Sequence, residues 1–169
     1  MKKIIIAVLV LALCLALMAG CGKKEEEPQA PAGMVNPITS YEDAQGQVDA
    51  LGFGLEAPEG ASDIAYQSIN SMAETIFTLD GVKYSYRAEA SSKTEAYDIS
   101  GLFYEMESSE ASVQERDATV MTCKEAGSVM WLDIVTGVNY NLSTVSAVDA
   151  DALVALANEI YVPLQGEAG

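Results

Sequence analysis

The sequence predicts an α+β domain, a meandering antiparallel sheet of six to eight strands with an N-terminal and a C-terminal helix packed on one face. Three observations favour this fold. Strand-like segments are framed by one helical segment on each side, Asp80-Gly81 joins two of these segments as a hairpin, and no β-α-β alternation occurs. A β-sandwich with flanking helices is the alternative.

The first twenty residues have the layout of a secretory signal. Two lysines precede fifteen residues without a polar side chain (4–18), and the small residues Ala19 and Gly20 follow. The apolar run is shorter than the roughly 20 residues that a membrane-spanning helix needs. We therefore expect residues 1–20 to be a lipoprotein signal peptide rather than a permanent span.

The end of this signal, Leu-Met-Ala-Gly-Cys at residues 17–21, resembles a bacterial lipobox. The resemblance implies that Cys21 is lipidated with a diacylglycerol, with palmitate among the expected acyl chains, and becomes the mature N-terminus. The protein is then exported and lipid-anchored on the outer face of the cell membrane. The alternative is an ordinary secretory signal in which the cysteine occurs by chance.

The segment after the lipobox is predicted to be a tether. Residues 21–38 contain a run of charges and three prolines, a composition that buries too little apolar area to offset the entropy of ordering. A single globular domain is expected over residues 39–164, with a disordered tail at 165–169.

Composition narrows the chemistry of this domain. The chain has 25 acidic and nine basic residues and no histidine. Serine or cysteine nucleophiles therefore lack an imidazole base, and the acidic surface repels the phosphates of nucleic acid. We expect no catalytic residue, no metal site, no cofactor other than the lipid, no nucleic-acid partner and a monomeric state.

The first predicted element of the domain is a helix. Ser40 is the expected N-cap, with Asp43 three residues on, and apolar residues recur at helical spacing from residue 41 to residue 51. Gly52 is expected to end the helix, and Pro58 limits residues 53–57 to an extended segment.

A hairpin follows, after a strand at residues 63–69. Residues 72–79 and 82–88 are joined by Asp80-Gly81, a pair that suits the positive φ values of a two-residue turn. The turn fixes the register of the facing residues. The pairs predicted for the core are Leu79 with Val82, Phe77 with Tyr84 and Thr75 with Tyr86, and those predicted for solvent are Glu74 with Arg87 and Thr78 with Lys83.

The remaining elements are assigned by the same patterns. A loop at 91–97 is followed by predicted strands at 99–106, 118–124, 127–135 and 138–144. We expect Trp131, Tyr140 and Leu142 to face the core, Cys123 to be a small buried side chain, and the glutamates between 105 and 115 to form a solvated face. The last helix, 150–161, is capped by Asp149 and buries a leucine-rich stripe.

Several short motifs of the domain occur together. They are Asn36-Pro37, Gly52-Phe53 before Pro58, Asp-Ile-Ser-Gly at 98–101, Trp131 with Gly137 and Tyr140, and the closing leucine-rich helix. This set resembles a family of uncharacterised lipoproteins and extracytoplasmic domains of unknown function from Gram-positive anaerobic bacteria. The resemblance covers residues 36–164, implies that Trp131 and Tyr140 are core residues, and carries over no catalytic residue.

These features favour a non-catalytic, extracytoplasmic binding or protein-interaction module with an unidentified protein or small ligand as its partner. The candidate surface is the sheet face left bare by the helices, or the loop that contains Asp98, Ser100 and Gly101. One alternative is an envelope sensor or regulatory domain that acts through a membrane partner. The other is a carboxylate-based hydrolase of wall polysaccharide, which rests only on the abundance of acidic residues.

Overall fold

The structure is a computed structural model that describes residues 36–164. The predicted signal peptide, the lipidation site Cys21, most of the tether and the tail at 165–169 lie outside this range. Eight strands and two helices follow one another within it. They are β1 (Ile38–Tyr41), α1 (Ala44–Leu51), β2 (Ser62–Ile69), β3 (Met72–Leu79), β4 (Val82–Ala90), β5 (Glu107–Val113), β6 (Arg116–Thr122), β7 (Gly127–Asp133), β8 (Val138–Thr144) and α2 (Ala150–Ile160).

All eight strands belong to one open antiparallel sheet, which confirms the predicted sheet and its strand number. The strand order is β1-β2-β3-β4-β8-β7-β6-β5. The sheet therefore consists of two four-stranded meanders, β1–β4 and β5–β8, that meet where β4 pairs with β8 over seven residue pairs.

The predicted hairpin is confirmed in its register. Leu79 lies opposite Val82 and Phe77 opposite Tyr84, as the two-residue turn requires. Asp80 and Gly81 both have positive φ, 50° and 79°. Because aspartate and glycine tolerate this backbone region better than most residues, the turn residues fix the pairing of β3 with β4.

The core lies against one face of the sheet, here called the core face. Trp131, Tyr140 and Leu142 are buried on it as predicted, with Trp131 and Leu142 at 0 % exposure. The Trp131 and Tyr140 rings stack with their centroids 5.3 Å apart, and the Tyr161 ring meets Trp131 edge-on at 5.5 Å. The helix α2 buries the predicted stripe of Leu153, Leu156, Ala157 and Ile160, and its N-cap is Asp149.

The helix α1 begins three residues later than the cap prediction. Ser40 pairs with Gln67 in β1, so the prediction that Ser40 caps the helix is wrong. Asp43 is the N-cap and accepts a hydrogen bond from the Gly46 backbone N–H. Gly52, with a φ of 85°, ends the helix as predicted.

Two strand predictions need correction. Residues 99–106 form no strand, and the whole stretch from residue 91 to residue 106, here called the crossing segment, has no regular structure. The predicted strand 127–135 ends at Asp133, which leaves Ile134 and Val135 exposed in the turn before β8. Cys123 is half-buried in the turn after β6 and forms no disulfide within residues 36–164.

Candidate functional site

The second face of the sheet, here called the reverse face, carries a layer of buried polar side chains. Glu74 of β3, Asn139 of β8 and Asn141 of β8 are almost fully buried on it. Glu74 pairs with Arg87 as the hairpin register requires, but the expectation that this pair faces solvent is wrong. The glutamate side chain is 4 % exposed and the arginine side chain 18 % exposed.

The crossing segment covers this layer. It leaves the end of β4, contacts the reverse face and continues to the start of β5 at the other end of the strands. The backbone N–H of Tyr97 donates to Oδ1 of Asn139 over 3.2 Å, and Nδ2 of Asn139 donates back to the Tyr97 carbonyl over 3.0 Å. The Tyr97 hydroxyl also donates to Glu89 of β4 over 2.6 Å. These three bonds hold the first half of the segment on the sheet.

Arg87 holds the second half. Its Nε donates to Oε1 of Glu74 over 2.7 Å, and its Nη1 donates to the carbonyls of Ile99 and Ser100 over 2.8 and 2.6 Å. Gly101 follows directly, with a φ of 70°, and a Cβ at this position would lie 2.9 Å from Nη1 of Arg87. We call this arrangement of Glu74, Arg87 and the two carbonyls the arginine clamp.

The surroundings of Glu74 favour the ionised form of its carboxyl group. Burial would by itself raise the pKa of Glu74, but hydrogen bonds from Ser85, Gln67 and Arg87 stabilise the carboxylate, and the net effect lowers the pKa below its ordinary value. Glu74 is therefore charged at neutral pH, and the guanidinium of Arg87 balances it.

The predicted interaction residues lie at the centre of the crossing segment. Asp98 is exposed, and its Oδ1 accepts a hydrogen bond from the Ser100 backbone N–H over 2.8 Å. Ser100 is 4 % exposed, and its hydroxyl oxygen accepts from the Leu102 N–H over 3.1 Å. Gly101 is exposed. Ser100 therefore shapes the turn, whereas Asp98 and Gly101 are accessible to a partner.

Two aromatic residues that follow this turn are exposed. Phe103 is 98 % exposed and Tyr104 is 44 % exposed. In the predicted strand 99–106 they would lie on opposite faces of the sheet. Residues 99–106 form no strand, and Gly101 in this stretch has a positive φ of 70°, which extended strand backbone does not adopt.

A groove of about 790 Å³ opens beside the first part of the crossing segment. Its walls come from the segment itself, from β5, β6 and β7, and from the two turns at the same end of these strands. We call it the acidic groove, and its lining includes five acidic residues, Glu95, Glu110, Glu115, Asp117 and Asp133, and the large apolar residues Leu132, Ile134 and Val135. Glu110 and Glu115 are exposed, as predicted for a solvated face, but no local sequence pattern indicates that they lie in one groove with Glu95 and Asp117.

Arg116 is the basic residue of this groove, and its charge interacts with Asp133 and with the Tyr161 ring. Its Nη2 lies 3.2 Å from Oδ2 of the buried Asp133, and its guanidinium carbon lies 4.8 Å from the centroid of the Tyr161 ring. The Tyr161 hydroxyl donates to the same Asp133 oxygen over 2.8 Å. Burial opposes ionisation of Asp133, but the bonds from Tyr161 and Arg116 outweigh it and lower the pKa of Asp133.

Two further findings concern ligands and membranes. Within residues 36–164, no group of three or more acidic or cysteine side chains is arranged to hold a metal ion. Neither α1 nor α2 is long and apolar enough to cross a bilayer.

No protein-family model, curated protein or solved structure matches this chain.

Proposed function

We propose that this chain is a membrane-anchored extracytoplasmic lipoprotein of the family its sequence resembles, and that it acts as a non-catalytic protein-interaction module. The lipobox-like segment at residues 17–21 supports the anchor, with Cys21 as the lipidated residue. The partner-binding surface is the reverse face with its crossing segment.

The arrangement of the helices supports this choice of face. We infer that both helices shield the core face, because Gln47 of α1 hydrogen-bonds to Thr75, whose side chain shares that face with Phe77 and Tyr86. The stripe of α2 joins the same buried cluster as Trp131. The reverse face then has the crossing segment as its cover, and accessible side chains of that segment are available to a partner.

The observation that carries the proposal is an almost fully exposed Phe103 on an anchored segment. An aromatic side chain in water is unfavourable, and irregular segments of about 15 residues in a compact domain are usually either functional or disordered. The arginine clamp and the Tyr97–Asn139 bonds fix the backbone just before Phe103. The backbone of the segment is therefore already ordered when a partner contacts Phe103, which lowers the conformational entropy that the segment loses on binding.

The test is site-specific photocrosslinking in cells with the full chain. A benzophenone amino acid replaces Phe103, and in a matched control it replaces Val162, which is 70 % exposed outside the crossing segment. We expect a discrete adduct from position 103 and none from position 162. Equal adducts from both positions, or none from either, would reject the proposed surface.

The anchor has its own test. Mass spectrometry of the mature protein is expected to find a chain that begins at Cys21 and carries acyl groups, and Cys21→Ser is expected to remove it from the membrane fraction. A mature chain that begins elsewhere would reject the lipoprotein assignment. It would leave the proposed binding surface standing.

A further inference from the structure

The acidic groove carries an excess of negative charge that the domain does not neutralise. Arg116 is paired with Asp133, so the charges of these two residues cancel. Glu95, Glu110 and Asp117 also line the groove, and within residues 36–164 none of them takes part in an ion pair.

The same groove exposes apolar surface. Ile134 and Val135 are 74 % and 85 % exposed, and Leu132 contributes to the lining next to them. A metal ion would leave these aliphatic groups without a role. A ligand that carries both cationic and aliphatic side chains would use the whole lining.

One wall of the groove is β5, an edge strand of the sheet. It pairs with β6 on one side, and five of its seven residues are exposed. Within the described sheet no strand pairs with the other side of β5, so an extended segment can enter the groove past this edge and lie on the reverse face. Its cationic side chains would there lie next to Glu110 and Asp117, and its aliphatic side chains next to Leu132, Ile134 and Val135.

We propose that the acidic groove binds a basic, extended segment of a partner protein that contains both Lys or Arg and aliphatic residues. The proposal rests on the interaction role proposed above and states the chemistry of the partner. Charge complementarity selects this occupant, because a second copy of the strongly acidic domain would bring like charges to the groove.

Fluorescence anisotropy with the full chain in detergent tests the proposal. The probe is a labelled ten-residue peptide of alternating Lys and Val, compared with Gln–Val and Glu–Val peptides of the same length. We expect the Lys–Val peptide to bind and the double variant Glu95→Gln/Glu110→Gln to weaken its binding about tenfold, since each partly exposed charge contributes a few-fold. Val135→Ser is expected to weaken it about threefold, as lost apolar contact does.

Matched variants separate the groove from general attraction to an acidic protein. Glu42→Gln/Glu59→Gln removes two exposed carboxylates that do not line the groove, and Val162→Ser removes an exposed aliphatic side chain elsewhere. Both are expected to change the affinity less than twofold. An equal loss in the groove and control variants, stronger binding of the Glu–Val peptide, or displacement of the Lys–Val peptide by millimolar calcium at constant ionic strength would overturn the proposal.

A failure of the basic-segment proposal can be distinguished from a failure of the proposed interaction function. Phe103 does not line the groove. A Phe103 adduct together with no groove-dependent peptide binding rejects the basic-segment proposal and keeps the interaction module. Groove-dependent peptide binding without a Phe103 adduct supports the groove and rejects the aromatic surface.

Discussion

Replacing Arg87 by methionine tests whether the arginine clamp holds the crossing segment. The change removes one hydrogen bond to Glu74 and two to the carbonyls of Ile99 and Ser100 while it keeps most of the aliphatic stem. Breaking a buried ion pair by removing one partner costs about 3–5 kcal/mol. Because the Arg87 side chain is 18 % exposed and water can reach part of the vacated space, we expect a loss near the lower limit, about 3 kcal/mol.

Urea unfolding measures this loss. With an m-value of about 1.5 kcal/mol/M, the midpoint is expected to fall by about 2 M. Lys83→Met in the same strand is the matched control, because Lys83 is exposed and such surface changes stay within about 0.5 kcal/mol. Chymotrypsin gives a local readout. Cleavage after Phe103 and Tyr104 is expected to become faster in Arg87→Met at urea concentrations where the rest of the domain stays folded.

A double-mutant cycle identifies the origin of the loss. If the loss comes from a stranded carboxylate, adding Glu74→Gln to Arg87→Met restores about 1 kcal/mol or more of the stability. If the losses of unfolding free energy in Glu74→Gln and Arg87→Met simply add in the double variant, the stranded carboxylate is not the origin of the loss. An Arg87→Met midpoint equal to that of Lys83→Met would show that the clamp does not stabilise the domain. Gly101→Ala perturbs the same clamp, because the added Cβ would lie 2.9 Å from Nη1 of Arg87.

Three further predictions concern stability. Tyr161→Phe removes a hydroxyl donor from the buried Asp133 and is expected to cost about 1–2 kcal/mol in urea unfolding. Gly54→Ala places a Cβ 2.4 Å from the Ala44 carbonyl oxygen and is expected to cost about 1–3 kcal/mol, measured as a lower melting temperature. The pKa of Glu74 is lower in the folded than in the unfolded state. Its contribution to the free energy of unfolding is therefore complete at neutral pH and is lost as the pH falls below about 4.5 and through the folded pKa. In Glu74→Gln we expect the urea midpoint to depend less on pH in this range.

Each of these predictions has a contradicting result. An unchanged Tyr161→Phe midpoint would mean that water replaces the hydroxyl at Asp133. A Gly54→Ala protein that melts with the exposed control Ser92→Ala would mean that α1 shifts without cost. A Glu74→Gln protein with the same acid loss as the parent chain would assign that loss to other carboxylates, Asp133 first among them because its pKa is also lowered.

The parts of the fold that local chemistry determines could be predicted from the sequence. The Asp80-Gly81 turn fixes the β3–β4 register, and Gly52 fixes the end of α1. The pairing of β4 with β8 brings together residues about 55 positions apart, and no local pattern specifies it. Ser40 has a good capping side chain, but its pairing with Gln67 in β1 places it in the sheet, so tertiary contacts overrode the local preference.

The candidate site was predicted only in part, for a related reason. Asp98, Ser100 and Gly101 are predicted from the sequence as interaction residues, and they lie on the crossing segment, where Asp98 and Gly101 are exposed. The Glu74–Arg87 pairing followed from the hairpin register, but the burial of the pair depends on a segment that comes from a later part of the chain. The acidic groove joins residues from three strands, two turns and the crossing segment, so predicting it requires the strand order.

The strand order also determines how far β1 lies from β5 across the sheet. The first described residues lead directly into β1, whereas β5 forms the far side of the same sheet. Neighbouring strands lie about 4.8 Å apart, so seven spacings put roughly 34 Å between the two along the sheet surface. The start of β1 and the β5 wall of the groove that we assign to a cationic peptide are thus almost the full width of the sheet apart, and a bulky partner bound at β5 lies well away from β1.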